Sequence, residues 1–284
     1  MIKSRQNSKN NLDYIMLKAT QPIGIFDSGV GGLTVASAIH TLLPQENIIY
    51  FGDTAHTPWG NQSRTAIQHY ASRITQALID NNCKIIVIAC NTASATALEA
   101  VEKVVREQAI IFNVIDPVIT HLSNNFKNRT VGLIGTKQTI KSQAYASKLQ
   151  KQSPSITLKS LATPVLVPII EEGLSGTQGA KEFINMYLNN PILDDISALI
   201  LGCTHYPLIH DHVRQFFNSD VEIIDSAQLI ANLISEQLTI KNLLNTSSNS
   251  TKHFYVTHDS EFFENTAKRF FPGDINLETY PLWD

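Results

Sequence analysis

Two cysteines stand where a thiol could serve as a base. Cys90 closes the apolar run IIVIA at 85–89 and leads into Asn91 and Thr92, while the run at 197–201 passes through Gly202 into Cys203, Thr204 and His205. Ligands of open parallel sheets bind outside the carboxyl ends of the strands, so both thiols fall where a ligand would sit. A thiol at a helix N-terminus is expected to have its thiolate stabilised by free N–H groups and the helix dipole, below the roughly 8.5 of a free cysteine. His205, two residues beyond Cys203, could deprotonate that thiol or, when charged, hold its thiolate. The plainer reading of a lone cysteine is a small buried hydrophobe. Cys83 precedes its strand and reads as structural.

Three further segments carry polar groups at strand ends. IGIFDSGVGG at 23–32 delivers Asp27 and Ser28 into a glycine-rich turn before LTVASAIHTL, and free N–H groups there could hold an anion. It lacks the lysine and the intervals of a P-loop or a dinucleotide fingerprint, which excludes nucleotide binding. A tight turn capped by Asp27 or Ser28 is the alternative. YFGDTAHTPWGNQS at 50–63 carries Asp53, His56, Trp59 and Gly60, and could bring backbone N–H groups to a ligand while the indole excludes water, or be a surface turn. TPVLVPIIEEG at 163–173 sets Glu171 and Glu172 before a glycine. They suit a solvated turn, unless one turns inward to hold His205 or a substrate ammonium.

Other chemistries fit less well. A metal site from Cys203, His205, His210 and His212 lacks zinc-type spacing, and HDH suits an exposed helix face. No C-x-x-C motif suggests a redox dithiol, and a Cys–His acyl-transfer pair would leave the second strand-end cysteine unexplained.

The elements that must position these groups alternate in the manner of a parallel sheet with crossover helices. Strands are predicted at 23–27, 47–51, 85–89, 110–115, 130–134, 156–161, 197–201, 221–224 and 253–257. Helical spacing covers 63–80, 92–107, 137–151, 178–189, 206–217 and 226–239. The fold class is therefore α/β and doubly wound, with two sheets whose facing edges would bring both thiols into one cleft. The division expected is a first domain of 21–115 with 225–284 and a second of 116–224, behind a flexible extension of residues 1–20.

The 284 residues are 43% hydrophobic and 17% charged, and no apolar run reaches the length of about 20 that a membrane span needs. A net charge of −3 gives no reason to expect nucleic acid as the main partner or an anionic membrane. A small-molecule ligand is the default. Three cysteines in so long a chain fit a reducing compartment, and the expected location is cytoplasmic.

In order along the chain, FDSGVGGLTV, GDTxxxPxG, ACNTASA, VGLIGTxxTI at 131–140, VPIIEEG, GCTHYPL, IDSA at 224–227 and FYVT at 254–257 resemble the glutamate racemases of bacterial cell-wall synthesis, within the aspartate/glutamate racemase superfamily. The resemblance runs from about residue 22 to the end. It implies two similar domains about a pseudo-two-fold axis, L-glutamate and D-glutamate as substrates, a homodimer, and no cofactor or metal. It also implies Cys90 and Cys203 as the two bases, with Asp27, Glu171 and His205 as their helpers. Substrate contacts carry over to Asp27, Ser28, Trp59, Gly60, Asn91, Thr92, Thr204 and His205. A racemase for aspartate or another acidic amino acid, or a catalytically silent binding protein on the same fold, are the alternatives. The chain departs from the pattern at Trp59 (usually tyrosine), His56 (usually arginine), Thr163 (often cysteine), Asp116-Pro117-Val118 (usually Glu-Pro-Gly) and His258 (commonly glycine).

The layout suits the chemistry. An amino acid's α-proton is very weakly acidic, and without an electron-sink cofactor an enzyme must desolvate the substrate, stabilise the carbanion and place one base on each face of the α-carbon.

Overall fold

The computed structural model describes residues 17–218, 220–258, 261–271 and 275–283. Its first sheet comprises β1 (Ile23–Asp27), β2 (Ile48–Gly52), β3 (Ile85–Ile88), β4 (Ile110–Asn113), β9 (Lys252–Val256) and β10 (Leu277–Thr279), in the order β10-β9-β2-β1-β3-β4. The second holds β5 (Thr130–Gly135), β6 (Thr157–Ala162), β7 (Ala198–Gly202) and β8 (Glu222–Ile224), in the order β6-β5-β7-β8. Every pairing is parallel. The run β2-β1-β3-β4 has the same order as β6-β5-β7-β8, so β3, which leads to Cys90, is the counterpart of β7, which leads to Cys203.

The sequence explains the central strands. All of IGIFD, IIVI and ALILG are buried, as strands covered on both faces must be. Each fully buried Ile or Phe contributes roughly 1.5–3 kcal/mol. The covering helices are α1 (Leu33–Leu42), α2 (Arg64–Asp80), α3 (Asn91–Thr96), α4 (Leu98–Val105), α5 (Ile115–Asn125), α6 (Lys137–Ser142), α7 (Ala144–Gln152), α8 (Leu166–Glu171), α9 (Gln178–Leu188), α10 (His210–Phe216), α11 (Ser226–Ile240) and α12 (Glu261–Phe270). Side chains start several of them: Ser63 accepts from the Ala66 N–H, Thr177 from Ala180, and Asp225 from Ala227, each cap worth about 1 kcal/mol.

The chain leaves the first sheet through α5 and returns through α11, which packs against α1 and α5. One apolar core joins Ile23 and Ile25 of the first sheet to Ile134, Leu199 and Leu201 of the second.

Three expectations need correction. The helix predicted at 92–107 breaks at Ala97 into α3 and α4, and that at 137–151 breaks at Gln143, a left-handed residue between α6 and α7. Of the extension expected to be flexible, residues 1–16 lie outside the described residues, and 17–20 are tied down. Leu17 packs on the core, the Ala19 carbonyl accepts from Lys84 Nζ, and the Thr20 carbonyl accepts from Asn47 Nδ2 at 2.8 Å. Among the described residues no helix is long and apolar enough to cross a membrane.

Candidate active site

The carboxyl ends of both sheets open into one cavity of about 190 Å³. That is below the roughly 300–1,000 Å³ of drug-sized sites, so it suits a small metabolite. Ser28, Trp59, Gly60, Cys90, Asn91, Thr92, Glu171, Cys203, Thr204 and His205 all line it. Of the residues expected at the site, Asp27 alone stands behind the wall, fully buried.

On one side Cys90 caps α3, its Sγ accepting the Ala93 N–H at 3.5 Å. The thiol donates to Ser28 Oγ at 3.7 Å. Asp27 Oδ2 accepts the Gly32 N–H at 2.9 Å, whereas its buried Oδ1 meets no hydrogen-bond partner among the described residues. Burial raises the Asp27 carboxyl above its ordinary range, opposed by charge on His205 and by the N–H groups of Gly32 and Ser28.

The expected lowering at Cys90 is not found. Burial pushes its thiol far up, the charge of Asp27 adds to this, and the Ala93 N–H and Ser28 recover only part. The N-terminus of α3 is present, as predicted, but desolvation outweighs it.

On the other side Cys203 Sγ lies 3.7 Å from His205 Nδ1, and His205 Nε2 lies 2.8 Å from Glu171 Oε1. Burial opposes charge on His205, but Cys203 and Glu171 together outweigh it and raise the imidazole to about 10. Held between a sulfur and a carboxylate, the ring is biased toward the charged form. Of the paired acids, Glu171 turns inward and Glu172 is exposed. His210 and His212 do not join Cys203: His212 bonds Asn185 at 2.8 Å and His210 faces Asp211 at 3.4 Å. Among the described residues no group of three or more His, Cys, Asp or Glu is arranged to hold a metal ion. Cys83 packs against Gly24 at the amino end of the first sheet, its thiol raised by burial to about 12.

Neighbours from both sheets complete the cavity. Thr92 Oγ1 and Thr136 Oγ1 are 3.0 Å apart across the cleft, and Asn91 Oδ1 accepts from Tyr145 Oη at 2.7 Å, while the buried Asn91 Nδ2 meets no partner among the described residues. Thr57, Thr136, Lys137, Thr163 and Val167 also line it, and none was singled out as a ligand contact from sequence. Thr136 and Thr163 follow β5 and β6 directly, so the strand-end rule that found the cysteines would have found them too.

Two doubly wound lobes with a thiol from each in one cleft define the class, and comparison agrees. A family model described as Asp/Glu/Hydantoin racemase matches residues 33–234. Glutamate racemase 3 of Caldanaerobacter subterraneus subsp. tengcongensis is 37% identical over 256 residues, covering 90% of this chain and 92% of that protein. The crystal structure of glutamate racemase from Francisella tularensis in complex with D-glutamate superimposes with a TM-score of 0.87 at 37% identity, covering 93% of this chain and 99% of the other. That of Thermus thermophilus glutamate racemase in complex with β-chloro-D-alanine gives a TM-score of 0.83 at 35% identity, over 93% and 98%. The chain belongs to the glutamate racemases of that family.

Proposed function

We propose that the chain interconverts L-glutamate and D-glutamate by moving the α-proton between Cys90 and Cys203, and so supplies D-glutamate for peptidoglycan. The observation that carries this reading is the pair of thiols on counterpart strand ends facing one small cavity. In the L-to-D direction the Cys203 thiolate takes the α-proton and leaves the electron pair on the α-carbon, delocalised into the carboxylate. The Cys90 S–H then delivers a proton to the opposite face. His205, oriented by Glu171, keeps a positive charge beside Cys203, and Asp27 acts behind Cys90. Asn91, Thr92, Thr204 and the loop at Trp59 and Gly60 hold the substrate and exclude water, which strengthens every charge interaction within.

Protein groups alone carry the proton transfers, so no cofactor or metal is assigned a part. Resemblance also supports a cytoplasmic homodimer of two-domain subunits, 21–115 with 225–284 and 116–224, that closes around its substrate. Sedimentation showing a fully active monomer would remove the dimer.

The function is tested by incubating each enantiomer of glutamate and of aspartate with the protein in deuterated water. Inversion with α-deuterium incorporation is expected for glutamate alone. Turnover of aspartate instead would transfer the reading to another acidic substrate, and no exchange with either would end it.

A further inference from the structure

Asp53 is fully buried just beyond β2, yet does not line the cavity. A carboxylate withdrawn from water must have its oxygens hydrogen-bonded. Four side chains meet this one, two from its own loop and two from distant C-terminal segments. Trp59 Nε1 donates to Oδ2 at 3.0 Å, and Trp283 Nε1 donates to Oδ1 at 3.0 Å. Thr257 Oγ1 donates to Oδ1 at 2.8 Å, and His56 Nδ1 lies 3.0 Å from both oxygens.

Each donor belongs to something that must be placed. Trp59 and Gly60 form a cavity wall, and Gly60 is packed so closely on Thr136 that a Cβ there would come within 2.9 Å of it. Thr257 follows β9 and its Oγ1 also accepts the Ala55 N–H at 2.9 Å. Trp283 is docked on α2: Arg73 donates to the Leu282 carbonyl at 2.8 Å and lies over the indole at 6.0 Å, and Tyr70 meets it edge-on at 5.5 Å. His56 stacks on Tyr70 at 4.0 Å.

We propose that Asp53 is a positioning residue for substrate binding: its one carboxylate clamps the wall at Trp59 and Gly60 to Thr257 and Trp283, which makes the segment 280–283 part of the site's architecture. This rests on the racemase reading for its kinetic arm only. The clamp shapes a wall common to both enantiomers and touches neither thiol. Its loss therefore weakens substrate and transition state alike, raising KM with little change in kcat.

Asp53→Asn keeps the shape but turns an amide N–H₂ toward N–H or O–H donors. It is expected to raise KM for both enantiomers about tenfold with kcat within about twofold. Trp283→Phe keeps the ring and removes its N–H, and Thr257→Val removes the hydroxyl, each with an expected rise of roughly threefold, which Thr257→Ser reverses. A spectroscopic arm needs no turnover. The chain has two tryptophans, and both donate to this carboxylate. Trp283→Phe leaves Trp59 as the one tryptophan, and with excitation that tyrosine does not absorb, adding Asp53→Asn should shift its fluorescence to the red. If Asp53→Asn does not fold, the Trp283 and Thr257 variants decide. KM values at the wild-type level in the folded variants, with Trp59 emission unmoved, overturn the clamp, even if melting temperatures fall. A wild-type protein inactive on both glutamate and aspartate would end the racemase reading and leave the fluorescence arm to decide the clamp.

Discussion

Gly31→Ala should disable the Cys203 side of the site without replacing any proposed catalytic group. A Cβ on Gly31 would stand 2.4 Å from His205 Cε1, 2.5 Å from Nδ1 and 2.7 Å from Thr204 Oγ1. Non-bonded carbons rest about 3.5–4.0 Å apart, so something must retreat by about 1 Å. The backbone of Gly31 is held, since its carbonyl accepts the Thr34 N–H at 3.1 Å and Thr34 Oγ1 at 3.0 Å. The imidazole gives way. It sits 2.8 Å from Glu171 and 3.7 Å from Cys203, with Phe270 edge-on at 5.4 Å, so the movement breaks one of the two polar contacts.

A misplacement of about 1 Å costs on the order of 10²-fold in rate, or about 2.7 kcal/mol. Overpacking removes about 1–3 kcal/mol of stability, a fall of roughly 2–12 °C in melting temperature. Racemisation followed by circular dichroism gives kcat/KM from each enantiomer. Because the enantiomers have equal free energy, kcat/KM must fall by the same factor in both directions. One-way α-proton exchange should then place the damage on the L form, through Cys203. A folded Gly31→Ala protein whose kcat/KM stays within about threefold of wild type would show that the His205 position does not govern the rate.

The hand of each thiol is expected to separate in the serine variants: Cys90→Ser keeps α-proton exchange or β-elimination only on L substrates and Cys203→Ser only on D substrates, and full racemisation by either would remove the two-base mechanism. Lys84 and Glu46 form a buried pair at 2.6 Å, with Lys84 also donating to the Ala19 and Leu243 carbonyls. Lys84→Met alone should cost about 3–5 kcal/mol while Lys84→Met with Glu46→Leu recovers most of it in urea titrations, and equal stability of the single variant would refute that. His205 is raised from 6.5 to about 10 on folding, so its stabilisation is complete below pH 6.5 and is lost as pH rises through about 10. Urea titrations between these limits should lose about 1.4 kcal/mol per pH unit, and a slope that persists unchanged in His205→Asn would assign it elsewhere.

Both thiols were legible in the sequence because the signal is local: a fully apolar strand followed by cysteine and small polar residues. Glu171 was half legible, since nothing in EEG says which acid turns inward. The helix α5 was not anticipated, because Asp116-Pro117 reads as a break. Pro117 stands in the first turn, where a missing N–H breaks no intrahelical bond. The breaks at Ala97 and Gln143 were hidden for the opposite reason, the apolar spacing continuing across them. The clamp on Asp53 was out of reach, since Trp283 and Thr257 meet it only after the sheet is assembled. His56 and Trp59, two of the departures from the family pattern, both prove to donate to that carboxylate.

The one electrostatic expectation that failed bears most on the mechanism. A thiol lowered toward neutral pH would be well populated as thiolate but a poor match for so weak a carbon acid. Burial and Asp27 instead raise Cys90, which favours its protonated thiol, opposite a His205 that Cys203 and Glu171 bias toward the charged form. That state is set for the L-to-D direction, with Cys90 ready to donate. For the reverse direction Cys90 must ionise, and a raised pKa then makes its thiolate the stronger base by ordinary Brønsted behaviour. The rarity of that thiolate is a cost that substrate can offset, because the ammonium of glutamate brings a positive charge to a cleft where the Asp27 carboxylate and the thiolate otherwise repel each other. Cys90 would then ionise chiefly in the occupied, desolvated site, and the same burial that depletes the base in the free protein strengthens it in the complex.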